Sequence, residues 1–465
     1  MTSSEDASPP AVAAQEPEGL RRETLWLLAA SAAIAVMLAL AGRLSPWISP
    51  DTPGYFDLGP WPDLLARPRN PLYGWLVGWL PGGLAAVPAL QLGLYFLAVV
   101  LLHRALRRYG VSGRAAGSVS AGVLISNVVL LWSNAILPEC LAVACALVAL
   151  AALLLRAAGH RPVANTCLLG LSLGASYVLR PTFLPAAILF PLLYLPLCRL
   201  KGRRATAPAF LGVAFACVLP FLAVASLRLA TVRDFNIVSF GGFQMSGMAG
   251  LMLDEDVVRR LPADIQPLAR QILDRRTQAE ARGTVLPTPT NSTGQRSFVS
   301  AAAGYYDIYA RTYDALLYEE INALRGDEDW VAWNQRLMRF AIATIRAAPA
   351  RYAAWVVGGT SRAVGRLLVT NLAFMLGFIA LAAAFAAACW RPPRRDAPGD
   401  IRDALDMPVL LLLAVSYTVA AGALMVLVTF PAGRYLDSAG ILLPALPIYL
   451  TLRLLRPGRA GSAAS

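Results

Sequence analysis

The sequence predicts an all-α polytopic membrane protein with about ten transmembrane helices, and three observations lead to this fold class. The first is composition: of 465 residues, 57% are hydrophobic and only 15% are charged, and the mean hydropathy is +0.55. A soluble chain of this length would need a more polar surface. The second is a series of apolar runs, and the third is the distribution of arginines between them.

The apolar runs are each about 20 residues long, which is the length that a helix needs to cross the hydrocarbon core of a bilayer. They occupy residues 25–43, 83–103, 115–133, 138–155, 163–179, 181–197, 207–229, 365–389, 407–429 and 438–454. These runs divide the chain into a disordered cytoplasmic tail (1–20), an N-terminal transmembrane module (21–229), a periplasmic region (230–364) and C-terminal transmembrane helices (365–465). The first periplasmic loop is residues 44–82.

The region 230–364 is too long for a simple loop, and it lacks the alternation of polar and apolar residues that is typical of strands. We therefore expect a small α-helical periplasmic domain. Its Gly-rich start, SFGGFQMSGMAG (239–250), lacks the lysine of a phosphate-binding P-loop. We interpret this segment as a flexible loop that closes over a bound substrate.

Basic residues fall in every second connection between runs. Arg104, Arg107, Arg108 and Arg114 follow the second run, and similar groups follow the fourth and the sixth. Basic residues in short loops stay on the cytoplasmic side, so both termini are predicted to lie inside an inner, cytoplasmic membrane. The formal net charge of +13 is then mostly a topology signal, and without a clustered basic domain no nucleic-acid partner is expected.

The ionisable residues outside these basic connections collect at the outer ends of the predicted spans. A secondary transporter usually carries such groups near the membrane midplane and often has two similar halves. The distribution in this chain favours chemistry at the membrane surface instead. Both histidines, His103 and His160, map to the cytoplasmic side, so neither a histidine base nor a histidine-ligated metal is expected outside.

Five segments resemble, in order, those of the polytopic GT-C glycosyltransferases. Asp51 and Tyr55 in SPDTPGYF (49–56), followed by RPRNPLYGWLVGWL (67–80), resemble the first extracytoplasmic loop of protein mannosyltransferases and aminoarabinose transferases, which are family 39-like enzymes. The later segments are NAILPECLAVACALVAL (134–150), VLRPTFLPAAILF (178–190), IRAAPARYAAWVVG (345–358) and FPAGRYLDSAGILLPALPIYL (430–450).

The resemblance implies a GT-C-like fold and an enzyme that works outside the cytoplasm. It implies a polyprenyl-phosphate-linked sugar as donor, transfer with inversion at the anomeric carbon, and a glycan, a lipid or a protein as acceptor. Membrane lipid is the remaining partner. Such a displacement needs a carboxylate that accepts the proton of the acceptor hydroxyl and a cationic group that stabilises the departing phosphate.

Asp51 is the predicted base, and Asp57 is a second catalytic candidate. Pro50 and Pro53 restrict the backbone around Asp51. The alternative is that Asp51 only caps a short helix. Related enzymes carry two acidic residues close together, and this chain departs from that pattern, which leaves a requirement for a metal open.

Arg180 and Arg434 are the predicted ligands of the donor phosphate, with Arg67 and Arg69 as further candidates, because a guanidinium matches phosphate oxygens in a bidentate manner. Arginines at span ends also reach the interface without any function. Glu139 and Tyr55 are predicted to bind the sugar, and Glu139 alternatively a divalent cation such as Mg²⁺, Mn²⁺ or Ca²⁺. A helix N-terminus also stabilises a carboxylate such as Glu139 without any catalytic role.

Three other functions remain open at this point. A flippase or transporter of a lipid-linked glycan would share the outward arginines but would need a polar path across the membrane. A ligase or polymerase of the O-antigen type resembles this chain less in the first loop. A membrane scaffold would not require the arrangement around Asp51.

Overall fold

A computed structural model describes residues 18–56, 59–61, 63–284, 315–389, 401–429 and 433–455. Helices dominate these residues, and the described part of the chain contains no strand beyond an isolated bridge between Trp47 and Ala135. In chain order the main helices are α1 (Glu18–Leu40), α2 (Leu72–Gly78), α3 (Val87–Tyr109), α4 (Gly113–Leu124), α5 (Glu139–Ala157), α6 (Pro162–Leu179), α7 (Ala186–Leu200), α8 (Ala207–Val232), α9 (Gly241–Met252), α10 (Gln266–Ala281), α11 (Trp330–Ala347), α12 (Pro349–Val369), α13 (Leu372–Cys389), α14 (Ile401–Val428), α15 (Gly433–Ala439) and α16 (Ala445–Leu454).

Eight helical segments of the described chain are long and apolar enough to cross a membrane. They are Gly19–Leu40, Gly83–Tyr109, Gly113–Trp132, Glu139–Ala157, Pro162–Leu179, Pro181–Leu200, Ala207–Val232 and Ala404–Val428. Each coincides with one of the predicted runs. The all-α polytopic membrane fold is therefore confirmed.

The other two predicted runs are built differently. The run 365–389 contains a bend of 67° between α12 and α13. At this bend, Asn371 caps α13, because its Oδ1 accepts a hydrogen bond from the backbone N–H of Phe374 at 3.1 Å, while its Nδ2 donates to the carbonyl oxygen of Gly440 at 2.9 Å. The last run, 438–454, is divided by a turn between α15 and α16. Hydropathy alone did not reveal these breaks because the residues on both sides are apolar.

The described arginine-rich connections after α3, α5 and α7 lie together at one end of the bundle, where Nζ of Lys201 lies 5.5 Å from the ring centroid of Tyr109. At this end Arg203 donates a hydrogen bond to the carbonyl oxygen of Ala158 at 2.6 Å, and the backbone N–H of Ser112 donates to Asp406 at 2.8 Å. We call this the basic end. The first loop, the start of α5 and the ends of α6, α8 and α14 lie at the other end, which we call the site end.

A second hydrophobic core, separate from that of the bundle, lies at the site end among α9, α10, α11 and the short helix Glu255–Arg260. The described residues between 241 and 281 and between 330 and 347 are thus mainly helical and share this core. Buried Arg276 donates to the carbonyl oxygens of Gly250 and Leu253, at 2.7 Å and 3.0 Å, and so satisfies the end of α9.

The expectation of a flexible loop at 239–250 is wrong. Residues 241–252 form helix α9, which packs tightly on α11. A Cβ atom on Gly242 would lie 2.0 Å from the carbonyl oxygen of Asn334, so the glycine permits this close approach of two helices.

Several predictions fall on parts of the chain outside the described residues. They include the tail up to residue 17, the candidate carboxylate Asp57 and residues 285–314 of the predicted helical domain. Helix α12 continues through the predicted domain boundary between 364 and 365.

Candidate functional site

Two segments that are distant in the sequence are joined at the site end and determine the position of Asp51. The backbone N–H of Trp47 donates to the carbonyl oxygen of Asn134 at 2.8 Å, and that of Ile136 donates back to Trp47 at 2.9 Å. The hydroxyl of Thr52 also donates to the carbonyl oxygen of Ile136 at 3.1 Å. Asp51 is therefore held beside the start of α5, where Glu139 lies.

Arg180 lies at the end of α6, where the sequence stops the helix. Pro181 disfavours helical backbone at the residue before it, and Arg180 adopts an extended conformation with φ of −146°. Its Nη1 lies 3.1 Å from Oε1 of Glu139, and both side chains are buried. Glu139 therefore lies at a helix N-terminus, as the sequence suggested, and also pairs with an arginine.

Arg69 and Arg434 hold the two oxygens of Asp51. Arg69 Nη2 donates to Oδ1 at 2.9 Å, and Arg434 Nη2 donates to Oδ2. Arg434 Nε also lies 3.6 Å from Oε1 of Glu139, so it connects both carboxylates. We call these five residues, Asp51, Arg69, Glu139, Arg180 and Arg434, the site cluster.

Tyr435 is a member of the site that the sequence interpretation missed. Its ring centroid lies 4.4 Å from the guanidinium carbon of Arg180 and 4.9 Å from that of Arg434. Its hydroxyl accepts a hydrogen bond from Arg434 at 2.9 Å. The available signal was its place directly after Arg434, but tyrosines are common at membrane interfaces and the residue did not stand out.

Aromatic rings also surround Arg69. Its guanidinium carbon lies 5.4 Å from the ring centroid of Tyr55 and 4.8 Å from that of Phe240, which directly precedes α9. Tyr55 in turn packs edge to face on Tyr73 of α2, with ring centroids 5.5 Å apart. The small helical domain therefore contributes to the site through Phe240.

Arg228, near the end of α8, connects the backbone ahead of Arg69 to the entrance of the helical domain. It donates to the carbonyl oxygen of Leu65, to Asp234 at 3.0 Å and to the hydroxyl of Ser239. Arg228 and Asp234 are both buried, so this pair fixes the loop from a position that solvent does not reach.

Two buried polar groups beside the cluster lack a hydrogen-bond partner among the described residues. They are the carboxylate oxygens of Glu139, which have only the ionic contacts given above, and the hydroxyl of Tyr73. Buried polar atoms are rarely left in this state. Their capacity for hydrogen bonds is therefore not fully used by the described residues.

A cavity of about 270 Å³ adjoins the cluster. Arg69, Arg180, Tyr55 and Tyr435 contribute its polar wall. Apolar residues from three regions line much of the rest, including Val178, Leu179, Leu184, Ile237, Val238, Leu424, Met425 and Val428. The cavity thus offers two guanidinium groups beside an apolar surface, which suits an amphipathic anion.

The charges of the cluster favour an anion over a cation. Three guanidinium groups face two carboxylates, which leaves one net positive charge. Each carboxylate that could hold a divalent cation is already paired with arginine, and no group of three or more metal-ligating side chains occurs among the described residues. These residues do not fit a bound metal ion, and we derive no step through one.

The same charges control the protonation of two side chains. Burial alone would raise the pKa of Asp51, but the charges of Arg69 and Arg434 outweigh it and lower this pKa below 3.8. Burial would also raise the pKa of Tyr435, whereas the charges of Arg180, Arg434 and Arg69 lower it. Asp51 is therefore ionised at neutral pH.

The structure brings together most of the site residues that the sequence suggested. Asp51, Glu139, Arg180, Arg434, Arg69 and Tyr55 lie within this one site. Arg67 lies beside Gly59 on the same loop, and it is Arg69 that pairs with Asp51. Asp57 lies outside the described residues.

Fold and site together define the class of this protein as an α-helical integral membrane protein with a partly buried cluster of arginines and carboxylates at one end of its helix bundle. Comparison with known proteins adds no narrower assignment. No family model, no curated protein and no solved structure matches the chain.

Proposed function

We propose that this protein is a membrane glycosyltransferase of the GT-C type, which transfers a sugar from a polyprenyl-phosphate donor to an acceptor hydroxyl. The observation that supports this most strongly is the position of Arg69. Its guanidinium group pairs with Asp51 and also lines the apolar-walled cavity. A phosphate in that cavity would lie close to the proposed base.

In this proposal the arginines bind the donor phosphate, because guanidinium groups pair with phosphate oxygens and remain charged. The apolar wall receives the first part of the prenyl chain. The hydroxyl groups of the sugar donate to the carboxylate of Glu139, which stays paired with arginine, and contact the hydroxyl of Tyr73. Tyr55 packs behind Arg69 and keeps its guanidinium group in place.

The reaction is a single displacement. The acceptor oxygen forms a bond to the anomeric carbon while its proton moves to Asp51. The bond from the anomeric carbon to the phosphate oxygen breaks, and the electron pair leaves with the phosphate. The arginines stabilise the negative charge that develops on this leaving group.

The net charge of the cluster supports a donor with one phosphate. A phosphodiester carries one negative charge and neutralises the single positive charge of the cluster. During transfer the proton gained by Asp51 compensates for the second charge gained by the leaving phosphate, so the assembly stays neutral. A diphosphate-linked sugar would leave an uncompensated negative charge in a largely buried site, which is costly.

Asp51 in the ligand-free protein is a weak base because both of its oxygens accept hydrogen bonds from arginines. A donor phosphate would compete for Arg69 and Arg434 and weaken these pairs. The affinity of Asp51 for a proton would then increase only after the donor has bound.

The distribution of arginines supports an extracytoplasmic site. The arginine-rich connections belong to the end of the bundle opposite the cluster, and such connections usually stay in the cytoplasm. We therefore propose that the chain lies in the cytoplasmic membrane with both termini inside. The arginines of the site cluster would also suit a flippase or an O-antigen ligase. The experiment must therefore measure transfer of the sugar.

The test compares purified wild-type protein with Asp51→Asn in detergent solution. These proteins and the control named below are incubated with radiolabelled sugars linked to polyprenyl phosphate or polyprenyl diphosphate and with an acceptor extract, with and without divalent metal. We expect sugar release or transfer by the wild type and a loss of about 10²-fold or more in the variant, the scale of a missing general base. Asp256→Asn is a matched control, because Asp256 is exposed and its carboxylate pairs with exposed Arg259.

Each outcome has a distinct meaning. Equal turnover by wild type and Asp51→Asn would reject Asp51 as the base. Donor binding without turnover by any of the three proteins would reject the transferase and leave a flippase. Turnover only with a diphosphate-linked donor would contradict the charge argument for a single phosphate, but not the transferase activity.

A further inference from the structure

Helix α12 carries apolar side chains on two separate faces. Residues four apart on one face are buried against the protein, namely Trp355, Gly359, Ala363 and Leu367. A second set, spaced four or seven residues apart, is exposed and consists of Ala353, Val357, Val364 and Leu368. Val357 is 70% exposed and Val364 is 50% exposed. Such a stripe on one side of a helix requires an apolar partner.

The arginines of α12 lie on the side opposite this exposed stripe. The helical spacing puts Arg351, Arg362 and Arg366 together there. Arg351 donates to the carbonyl oxygen of Met252 and pairs with Asp254 of the helical domain. The arginines are therefore on a different side from the exposed stripe, as in helices that lie at a membrane surface, and the only polar residues beside the stripe on this helix are the uncharged Thr360 and Ser361.

Helix lengths exclude a single span made of α12 and α13. Helix α13 has 18 residues, so it rises about 27 Å and is by itself close to the thickness of the hydrocarbon core. With the 21 residues of α12 the pair would extend about 58 Å, far beyond that thickness. The bend of 67° directs α12 away from the axis of α13.

The exposed stripe of α12 continues into the exposed apolar surface of α13. Leu372 and Leu376, directly after the bend, are about half exposed, and Phe378 and Ile379 follow on the same helix. These residues belong to the surface that the bundle presents to lipid. The stripe on α12 adjoins this surface.

We propose that α12 is an interfacial helix that lies in the leaflet at the site end, with its exposed stripe among the acyl chains and its arginines facing the protein and the headgroups. The partner is the lipid surface itself. This inference rests on the membrane fold and does not depend on the proposed transferase activity.

The buried face of α12 contacts elements that form the site. The hydroxyl of Tyr352 donates to the carbonyl oxygen of Leu427 at 3.0 Å, and α14 contributes several side chains to the cavity wall near that point. Leu367 lies against Gly440, which follows the helix of Arg434 and Tyr435. Helix α12 thus lies between the lipid and two elements that form the site.

The test uses the photoreactive amino acid p-benzoylphenylalanine at single positions of the full chain. The purified proteins are reconstituted in vesicles of phosphatidylethanolamine and phosphatidylglycerol, irradiated and measured by intact-protein mass spectrometry. Val357 and Val364 report the exposed stripe, and Arg366 reports the opposite side of α12. Phe378, which is 54% exposed on α13, is the positive control for contact with acyl chains.

We expect a mass increase of one phospholipid at Val357 and Val364, with a yield comparable to that at Phe378, and little or none at Arg366. Adducts at Phe378 without adducts at the two stripe positions would overturn the proposal. A cross-link of twice the protein mass at Val357 or Val364 would assign the stripe to a second copy of the chain and would also overturn it.

Discussion

Asp51 is held by two arginines, and this pairing has consequences for pH dependence. Its pKa in the folded, ligand-free protein lies below the ordinary value of 3.8, so the carboxylate is ionised through the neutral range. Because the folded pKa is lower than the unfolded one, ionised Asp51 stabilises the fold above about pH 4. This stabilisation is lost as the pH falls through the folded pKa.

We expect the donor to raise the pKa of Asp51, because its phosphate neutralises the arginines while the burial of the carboxyl group remains. The acid limb of kcat/KM reports the free protein, whereas that of kcat reports the donor complex. The limb of kcat should therefore lie at higher pH than the limb of kcat/KM. Steady-state kinetics from acidic to neutral pH measure both, and coincident limbs would contradict this prediction.

Two substitutions of Tyr435 test whether its ring and its hydroxyl hold Arg180 and Arg434 in place for the donor. Tyr435→Phe keeps the ring between Arg180 and Arg434 and removes only a hydrogen-bond acceptor, at a cost of about 1 kcal/mol or about a fivefold rise in the donor dissociation constant. Tyr435→Leu also removes two cation–π contacts, which adds about 1 to 2 kcal/mol. Titration with a polyprenyl phosphate measures both variants, and equal losses would reject a role for the ring.

The residues of the site could be predicted from the sequence to different degrees. Glu139, Arg180 and Arg434 each follow or precede an apolar run at the outer side, so a topological pattern identifies them. Arg67 and Arg69 occupy the same polar loop, and only its three-dimensional course decides that Arg69 meets Asp51. No linear pattern contains that information.

At the scale of elements, hydropathy located the spans but did not locate their breaks. The residues around the bend between α12 and α13 are nearly all apolar, and one side chain, Asn371, accounts for the new start by capping α13. A window average over about 19 residues does not register a single cap. The same limitation concealed the turn between α15 and α16.

The prediction of a loop at 239–250 was wrong because glycine has two different uses in proteins. Several glycines in 239–250 suggested a flexible loop, yet Gly242 serves close packing of α9 on α11. Flexibility and close approach require the same residue, and the sequence does not distinguish them.

Gly242→Ala is expected to destabilise the helical domain by about 1 to 3 kcal/mol, the usual cost of overpacking, because the added carbon meets the backbone of Asn334. Gly212→Ala on α8 is the matched control, since a Cβ there has open space around it and alanine favours a helix. Thermal unfolding of the purified proteins in detergent measures the difference. Equal unfolding temperatures for the two variants would show that α9 and α11 are not in close contact.

At the scale of the whole molecule, the bundle separates two kinds of charge. Arginine-rich connections collect at the basic end, where Asp406 and the carbonyl oxygen of Ala158 also bind neighbouring segments. The paired arginines and carboxylates of the cluster lie at the site end. The sequence predicted this separation well, because it depends only on the order of spans and on the parity of the connections between them.

The orientation of the bundle in the membrane follows from that separation if the basic end is cytoplasmic. A single cysteine in place of exposed Asp256 at the site end should react with a membrane-impermeant maleimide on intact cells. A cysteine in place of exposed Arg204, in the connection between α7 and α8, should react only after the membrane is permeabilised. The wild-type chain is the control for its natural cysteines. Labelling of the Arg204 variant alone in intact cells would place the cluster in the cytoplasm. Nucleotide-linked sugars are present there. The argument for a lipid-linked donor would then rest on the cavity and its charges alone.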